Sequence, residues 1–263
     1  MKTFFIFAFI FAFIFLYIFQ FSFSFSEKKL KKIIQKNKKD TTNFHHKKDT
    51  TKLNHLFAKE TKNFIDLKIK NNKKIKIICF GNSITNGYKV GTTKTVKNDY
   101  PSELEKLLQK KYKNDSIKVI KEGKNGRRID QALQYLPQII AQKPDLVILE
   151  YGINDVYSNF SVDFFNQKMT DINKKLKEKN IFVIIASPTP ILTPQNEKVW
   201  ELTQGIYKFC KKNQIPFVNL YENIEKISKE NDIEMKNLLP DKIHFADEYY
   251  VYLAKIIFEY IYF

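Results

Sequence analysis

The hydrophobic and polar positions of this 263-residue chain divide it into three stretches. Residues 4–19 are an unbroken apolar run, extended by Gln20 and a Phe–Ser alternation as far as Ser26. Residues 27–72 are polar and lysine-rich, with no sustained periodicity beyond a short amphipathic turn around Leu53 to Phe57. From about residue 75 onward, short apolar runs alternate with segments in which apolar residues recur every three to four positions. The short runs predict strands at 75–80, 117–121, 145–151, 181–187 and 216–220. The periodic segments predict helices at 102–112, 129–139, 162–177, 198–212 and 247–260. Ser102 and Glu105 have capping-box spacing, and Leu104, Leu107 and Leu108 give that helix an apolar stripe. Short apolar strands separated by helices of this length imply βαβ units. The expected architecture is α/β: a three-layer α/β/α sandwich around a five-stranded parallel sheet. About 190 residues suffice for one domain with a sizeable core, and neither an internal repeat nor a second domain is evident.

The first two stretches read as appendages to a domain at 73–263. Lys2 followed by the apolar run has the form of a secretory signal peptide, with Ser24-Phe25-Ser26 as a small-x-small cleavage site. The run is also nearly long enough to remain as an uncleaved membrane anchor. With no cysteine near its end, a lipoprotein is not indicated. Lys28, Lys29, Lys31 and Lys32 pull the other way, because the positive-inside rule favours keeping such a flank cytoplasmic. The expectation is a protein secreted, or held at the membrane by residues 4–19. Residues 27–72, highly charged and poor in apolar side chains, read as a flexible tether. His45, His46 and His55 lie there, too few for a metal site without further ligands.

Charge changes this picture little. Of the net +17, residues 27–74 contribute 16 basic and 5 acidic side chains, which leaves the domain only mildly basic. The blocks of a recognition helix, zinc finger or RNA-binding sheet are absent, so no nucleic-acid partner is expected. Abundant Lys, Asn, Ile and Phe with few Gly read as AT-rich compositional drift. Cys79 and Cys210 make neither a disulfide framework nor a metal site, and read as buried free thiols.

Candidate chemistry gathers at the predicted strand ends. The run from Ile75 to Phe80 stops at Gly81, placing Ser83 just past the carboxyl end of a strand, where open α/β sheets hold their ligands. Only 7 glycines occur in the chain, and Gly81, Gly87, Gly123, Gly126 and Gly152 stand at or just beyond the ends of the first three strands. Such placement suits backbone that turns sharply or comes close to a ligand. Gly152-Ile153-Asn154-Asp155 follows the third strand, and Asp241-Lys242-Ile243-His244 lies near the C-terminus. His244 is the only histidine of the domain. A hydroxyl nucleophile needs a base that titrates near neutrality, which histidine supplies. The three-residue spacing lets the Asp241 carboxylate orient its imidazole.

Taken in order, Gly81-Asn82-Ser83-Ile84-Thr85, Gly123, Gly152-Ile153-Asn154-Asp155 and Asp241-Lys242-Ile243-His244 resemble the blocks of the SGNH hydrolases, also called GDSL esterases and lipases. The resemblance covers about residues 75–263, including Tyr100-Pro101 and Pro144-Asp145. It implies a flavodoxin-like sheet and a Ser83–His244–Asp241 catalytic triad. An oxyanion hole from the Ser83 and Gly123 N–H groups and the Asn154 amide is implied with it, as is ester cleavage without a metal or organic cofactor. Asn82 departs from the family, which more often has Asp there. A Gly-x-Ser-x-Gly elbow is absent, and the near-adjacency of Asp and His also sets the chain apart from α/β-hydrolases.

The substrate is less legible. The loop 88–98 is polar, and no apolar lid or second domain for long acyl chains is evident, which favours a short acyl group such as acetyl on carbohydrate. Lysophospholipid or thioester hydrolysis, acyl transfer, and a membrane-tethered binding module on the same fold stay open. Arg127 and Arg128 are the only arginines among 45 basic residues. Their rigid forks suit an anionic part of the substrate, against the alternative of an ordinary structural ion pair.

Overall fold

The computed structural model describes residues 46–72 and 74–262. The apolar leader and the first part of the lysine-rich stretch therefore lie outside the described residues. Five parallel strands, β1 (Ile75–Gly81), β2 (Ile117–Gly123), β3 (Leu146–Glu150), β4 (Phe182–Ala186) and β5 (Phe217–Val218), form one sheet in the order β2-β1-β3-β4-β5. That is the flavodoxin-like order, whose direction reverses between β1 and β3, where ligands enter such sheets. Register is continuous at this point: Gly81 of β1 stands opposite Gly123 of β2 on one side and Glu150 of β3 on the other. Every residue of β3 is buried, as expected of a central parallel strand covered on both faces.

One helical layer contains α3 (Tyr100–Tyr112), α8 (Leu220–Glu230) and α10 (Tyr250–Tyr262). The other contains α4 (Ile129–Ala141), α6 (Val162–Glu178) and α7 (Asn196–Asn213). The one-turn helices α2 (Ser83–Asn86), α5 (Ile153–Tyr157) and α9 (Met235–Leu238) lie in the connections. This is the three-layer sandwich expected from the sequence.

Three local expectations are corrected. Helix α3 is capped by Asp99, whose Oδ1 accepts from the Ser102 N–H at 2.9 Å. Proline favours the first helical turn, so Pro101 moves the start ahead of Ser102. Glu105 instead binds the Val119 N–H at 2.7 Å and ties the helix to β2. The last strand is also shorter than predicted. Asn219 caps α8 through a 3.0 Å bond from the Glu222 N–H, so Leu220 begins a helix instead of ending a strand.

The largest correction concerns the tether. Residues 46–72 form helix α1 (His46–Asn72), and from Lys52 the chain belongs to the same compact unit as the sheet. Phe57, Thr61 and Ile65, spaced four apart, are buried. Phe64 stacks on Phe182 with ring centroids 4.6 Å apart. Lys68 pairs with Asp145 at 2.9 Å, and the Tyr112 hydroxyl donates to Asp66 at 2.7 Å. The part of α1 from Phe57 to Lys68 therefore lies at the amino-terminal edge of β3 and β4, opposite the strand ends that carry Ser83. Its apolar stripe is thin and diluted by lysines, so mean polarity conceals it.

Candidate active site

The turn after β1 is held by the fully buried Glu150. Asn82 accepts a hydrogen bond from the Ile84 N–H at 2.8 Å through Oδ1, capping the turn that carries Ser83. Its Nδ2 faces Glu150 Oε1 at 3.4 Å. Thr85 donates to Glu150 Oε2 at 3.1 Å and shares a 3.0 Å bond with the Tyr100 hydroxyl. Burial pushes the Glu150 carboxyl up to about 7, against the hydrogen bonds from Thr85 and Asn82. The departure at position 82 acquires a physical reason here. An aspartate would set one carboxylate against another in a dry site, whereas the asparagine amide supplies a donor.

The imidazole arrives from the far end of the chain. Asp241 Oδ1 accepts from the Ile243 N–H at 2.9 Å and the His244 N–H at 2.7 Å. Its Oδ2 lies 2.7 Å from His244 Nδ1. Lys242 holds a left-handed φ of 74°, which costs a non-glycine residue strain but folds the turn tightly. On the other side of the ring, Nε2 lies 2.9 Å from Ser83 Oγ. Burial raises the Asp241 pKa, but the hydrogen bonds from the His244 backbone and ring and from Ile243 outweigh it, holding the carboxyl below its usual range. An anionic Asp241 selects the tautomer with hydrogen on Nδ1, leaving Nε2 to accept from Ser83. Tyr88 packs on the imidazole with ring centroids 4.5 Å apart, and Tyr250 anchors it by donating to the Tyr88 carbonyl at 2.9 Å.

The second and third blocks meet beside this turn. A Cβ added at Gly123 would lie 2.1 Å from the Asn86 backbone nitrogen, so glycine alone lets β2 press its end against the Ser83 turn. Gly152 has φ +135°, and a Cβ there would crowd Pro188. Asn154 donates through Nδ2 to the Arg127 carbonyl at 3.1 Å, and Asp155 Oδ1 accepts from the Ile129 N–H at 2.8 Å. The third block thus fastens the Gly123 loop from two sides. Asp155 is buried, and that burial pushes its carboxyl up to about 7.

Arg127 and Arg128, expected to offer one group to an anionic part of the substrate, both have partners within the fold. Arg127 is buried, its guanidinium 5.2 Å from the Phe80 ring and 4.7 Å from the Tyr135 ring, with Nη1 donating to the Glu122 carbonyl at 3.0 Å. Arg128 closes its fork on Asp130 through two 3.1 Å bonds. Both groups are engaged within the fold, Arg128 by the ordinary ion pair and Arg127 by cation–π packing. Tyr88 and Glu150 escape notice in the sequence. Only a glutamate inside an otherwise apolar strand signals the second, and nothing local marks the first. Among the described residues, no group of three or more His, Cys, Asp or Glu is placed to hold a metal ion. No described helix is long and apolar enough to cross a membrane.

A family model for the GDSL-like lipase/acylhydrolases matches residues 79–251. The chain is 31% identical over 99 residues to an acetylxylan esterase of Geobacillus stearothermophilus, covering 35% of this chain and 45% of that protein. It is 27% identical over 129 residues to an N-acylneuraminate cytidylyltransferase of Streptococcus agalactiae, covering 48% of this chain but 30% of the other. The matches thus span less than half the length of these curated relatives. Among solved structures, the acetylxylan esterase from Geobacillus stearothermophilus superposes with a TM-score of 0.63 at 20% identity, over 72% of this chain and 94% of that one. A further acetyl xylan esterase does so with a TM-score of 0.62 at 23% identity, over 70% and 98%. At these identities the structural likeness establishes the fold.

Proposed function

The chain belongs to the GDSL-like lipase/acylhydrolase family, and from that premise we propose that it is a serine esterase removing short acyl groups, acetyl foremost, from carbohydrate. The observation that carries the reading is the relay in which Asp241 lies 2.7 Å from one imidazole nitrogen and Ser83 2.9 Å from the other. In the proposed reaction His244 takes the Ser83 proton as Oγ attacks the acyl carbonyl. The Asp241 carboxylate stabilises the imidazolium that forms. The Ser83 and Gly123 N–H groups and the Asn154 amide receive the oxyanion. His244 then protonates the departing sugar oxygen, which leaves as the alcohol, and water attacks the acyl-enzyme by the reverse sequence. No step calls for a metal or organic cofactor.

Carbohydrate as carrier is supported by the acetylxylan esterases to which the chain is similar. The test is hydrolysis of p-nitrophenyl esters of increasing acyl length by the full chain. Acetate should be preferred, and Ser83→Ala should cost at least about 10³-fold in kcat. Asn154→Ala should cost roughly 10²–10³-fold in kcat with little change in KM. Preference for long acyl chains would turn the reading toward a lysophospholipase or thioesterase. Acetyl recovered on an added glycan instead of as acetate would turn it toward acyl transfer. Folded protein inert to every ester would leave the binding module. Secretion, or anchorage at the membrane, is proposed from the pattern of residues 1–26 alone. N-terminal sequencing of the mature protein tests it: cleavage after Ser26 is expected for secretion, and a retained N-terminus on membrane-bound protein for anchorage.

A further inference from the structure

Four large hydrophobic side chains stand out as exposed among the described residues: Leu67, Tyr135, Tyr157 and Leu192. Scattered singly, such residues need no explanation. Tyr157 and Leu192 are not scattered. Tyr157 closes the one-turn helix α5 three residues after Asn154, a spacing that puts both side chains on one helix face. Its hydroxyl shares a 2.9 Å hydrogen bond with Thr193 Oγ1 in the connection after β4. The adjacent Leu192 donates its N–H to the Lys242 carbonyl at 2.7 Å, and Lys242 lies between Asp241 and His244. Two exposed apolar side chains, 41% and 38% accessible, are therefore fixed to the oxyanion-side helix and to the imidazole turn at once.

We propose that Tyr157 and Leu192 form a platform on which a pyranose ring of the acetylated glycan rests while its acetyl group reaches Ser83. The proposal builds on the esterase reading and adds where the sugar lies. A pyranose has one face of C–H bonds, which gains from contact with a flat aromatic ring and an aliphatic side chain. Its hydroxyls stay at the rim in water. The Thr193 bond holds the tyrosine at its tip, so little side-chain entropy is lost when the sugar docks.

The test compares an O-acetylated xylo-oligosaccharide with p-nitrophenyl acetate, which has no sugar to rest. Tyr157→Ala should lower the ratio of kcat/KM for the oligosaccharide to that for p-nitrophenyl acetate by about tenfold, mainly through KM. Leu192→Ala should lower it by a few-fold. Tyr157→Phe, which keeps the ring and loses only the Thr193 bond, should recover most of the ratio. Calorimetric titration of Ser83→Ala with the acetylated oligosaccharide gives a readout without turnover, and adding Tyr157→Ala should weaken that binding to a similar degree. An unchanged ratio in Tyr157→Ala, or equal binding by the two calorimetric variants, overturns the platform and leaves the esterase intact. Wild-type chain that hydrolyses neither ester overturns the esterase reading itself, and the platform with it.

Discussion

Glu150 and Gly123 decide how the turn that carries Ser83 is held. Glu150 is fully buried with no cationic partner near it among its hydrogen-bonding groups, which are Asn82 and Thr85. Its carboxyl titrates at about 7 in the fold, against about 4.5 for an ordinary glutamate. Folding therefore favours its protonated form. Its contribution to stability is full below about 4.5 and is lost as pH rises through about 7. Asp155, also pushed up to about 7 by burial, acts in the same direction. Glu150→Gln should draw the urea midpoints measured on the two sides of this window closer together without making them equal. Gly123→Ala sets a methyl group against the backbone of Asn86. It should cost about 1–3 kcal/mol in urea denaturation, and kcat should fall by more than KM changes, because β2 must retreat from Ser83. Gly81, Gly123 and Gly152 are conspicuous in a chain that uses glycine sparingly. Glu150 is not, because its burial depends on partners drawn from the turn after β1 and from α2.

Helix α1 is the element for which sequence pattern and structure diverge most. Local composition marks residues 46–72 as polar, yet Phe57, Thr61 and Ile65 align along one face and are buried. Its stability derives from packing at the amino-terminal edge of β3 and β4, not from propensity, as is usual for helices. Ile65→Ala should accordingly destabilise the protein by about 2–5 kcal/mol, the cost of a buried large-to-small change, when followed by thermal or urea unfolding. An exposed neighbour such as Lys70→Ala should leave stability within about 0.5 kcal/mol. A flexible tether would show no difference between the two. The remaining helices and strands carry stronger periodicity, and their predicted positions agree with the observed ones to within a few residues. The exception is α8, an eleven-residue helix the sequence reading did not predict, which begins where Asn219 ends the last strand.

For the molecule as a whole, the two cysteines serve as built-in reporters of cooperativity. Cys79 lies in the interior strand β1 and Cys210 in helix α7, both buried and unpaired. Burial raises both thiols well above the ordinary value, which suppresses the reactive thiolate. In native conditions neither should react with a thiol reagent on the timescale of model thiols, and both should become reactive together as urea unfolds the chain. Modification of Cys210 ahead of Cys79 would show α7 opening as a separate unit.

The sequence by itself determined the alternation of strands and helices, the sites where backbone had to turn, and the chemical types brought to those turns. These properties are written in residues a few positions apart, through side-chain periodicity and the conformational freedom of glycine. Only the tertiary structure decided that His244 reaches Ser83 across 161 positions. The same holds for the partners of both arginines, the glutamate beneath the Ser83 turn, and the docking of α1 against the sheet. Each of these depends on which surfaces exclude water from one another. Desolvation is a property of the packed neighbourhood, and no local stretch of chain carries it.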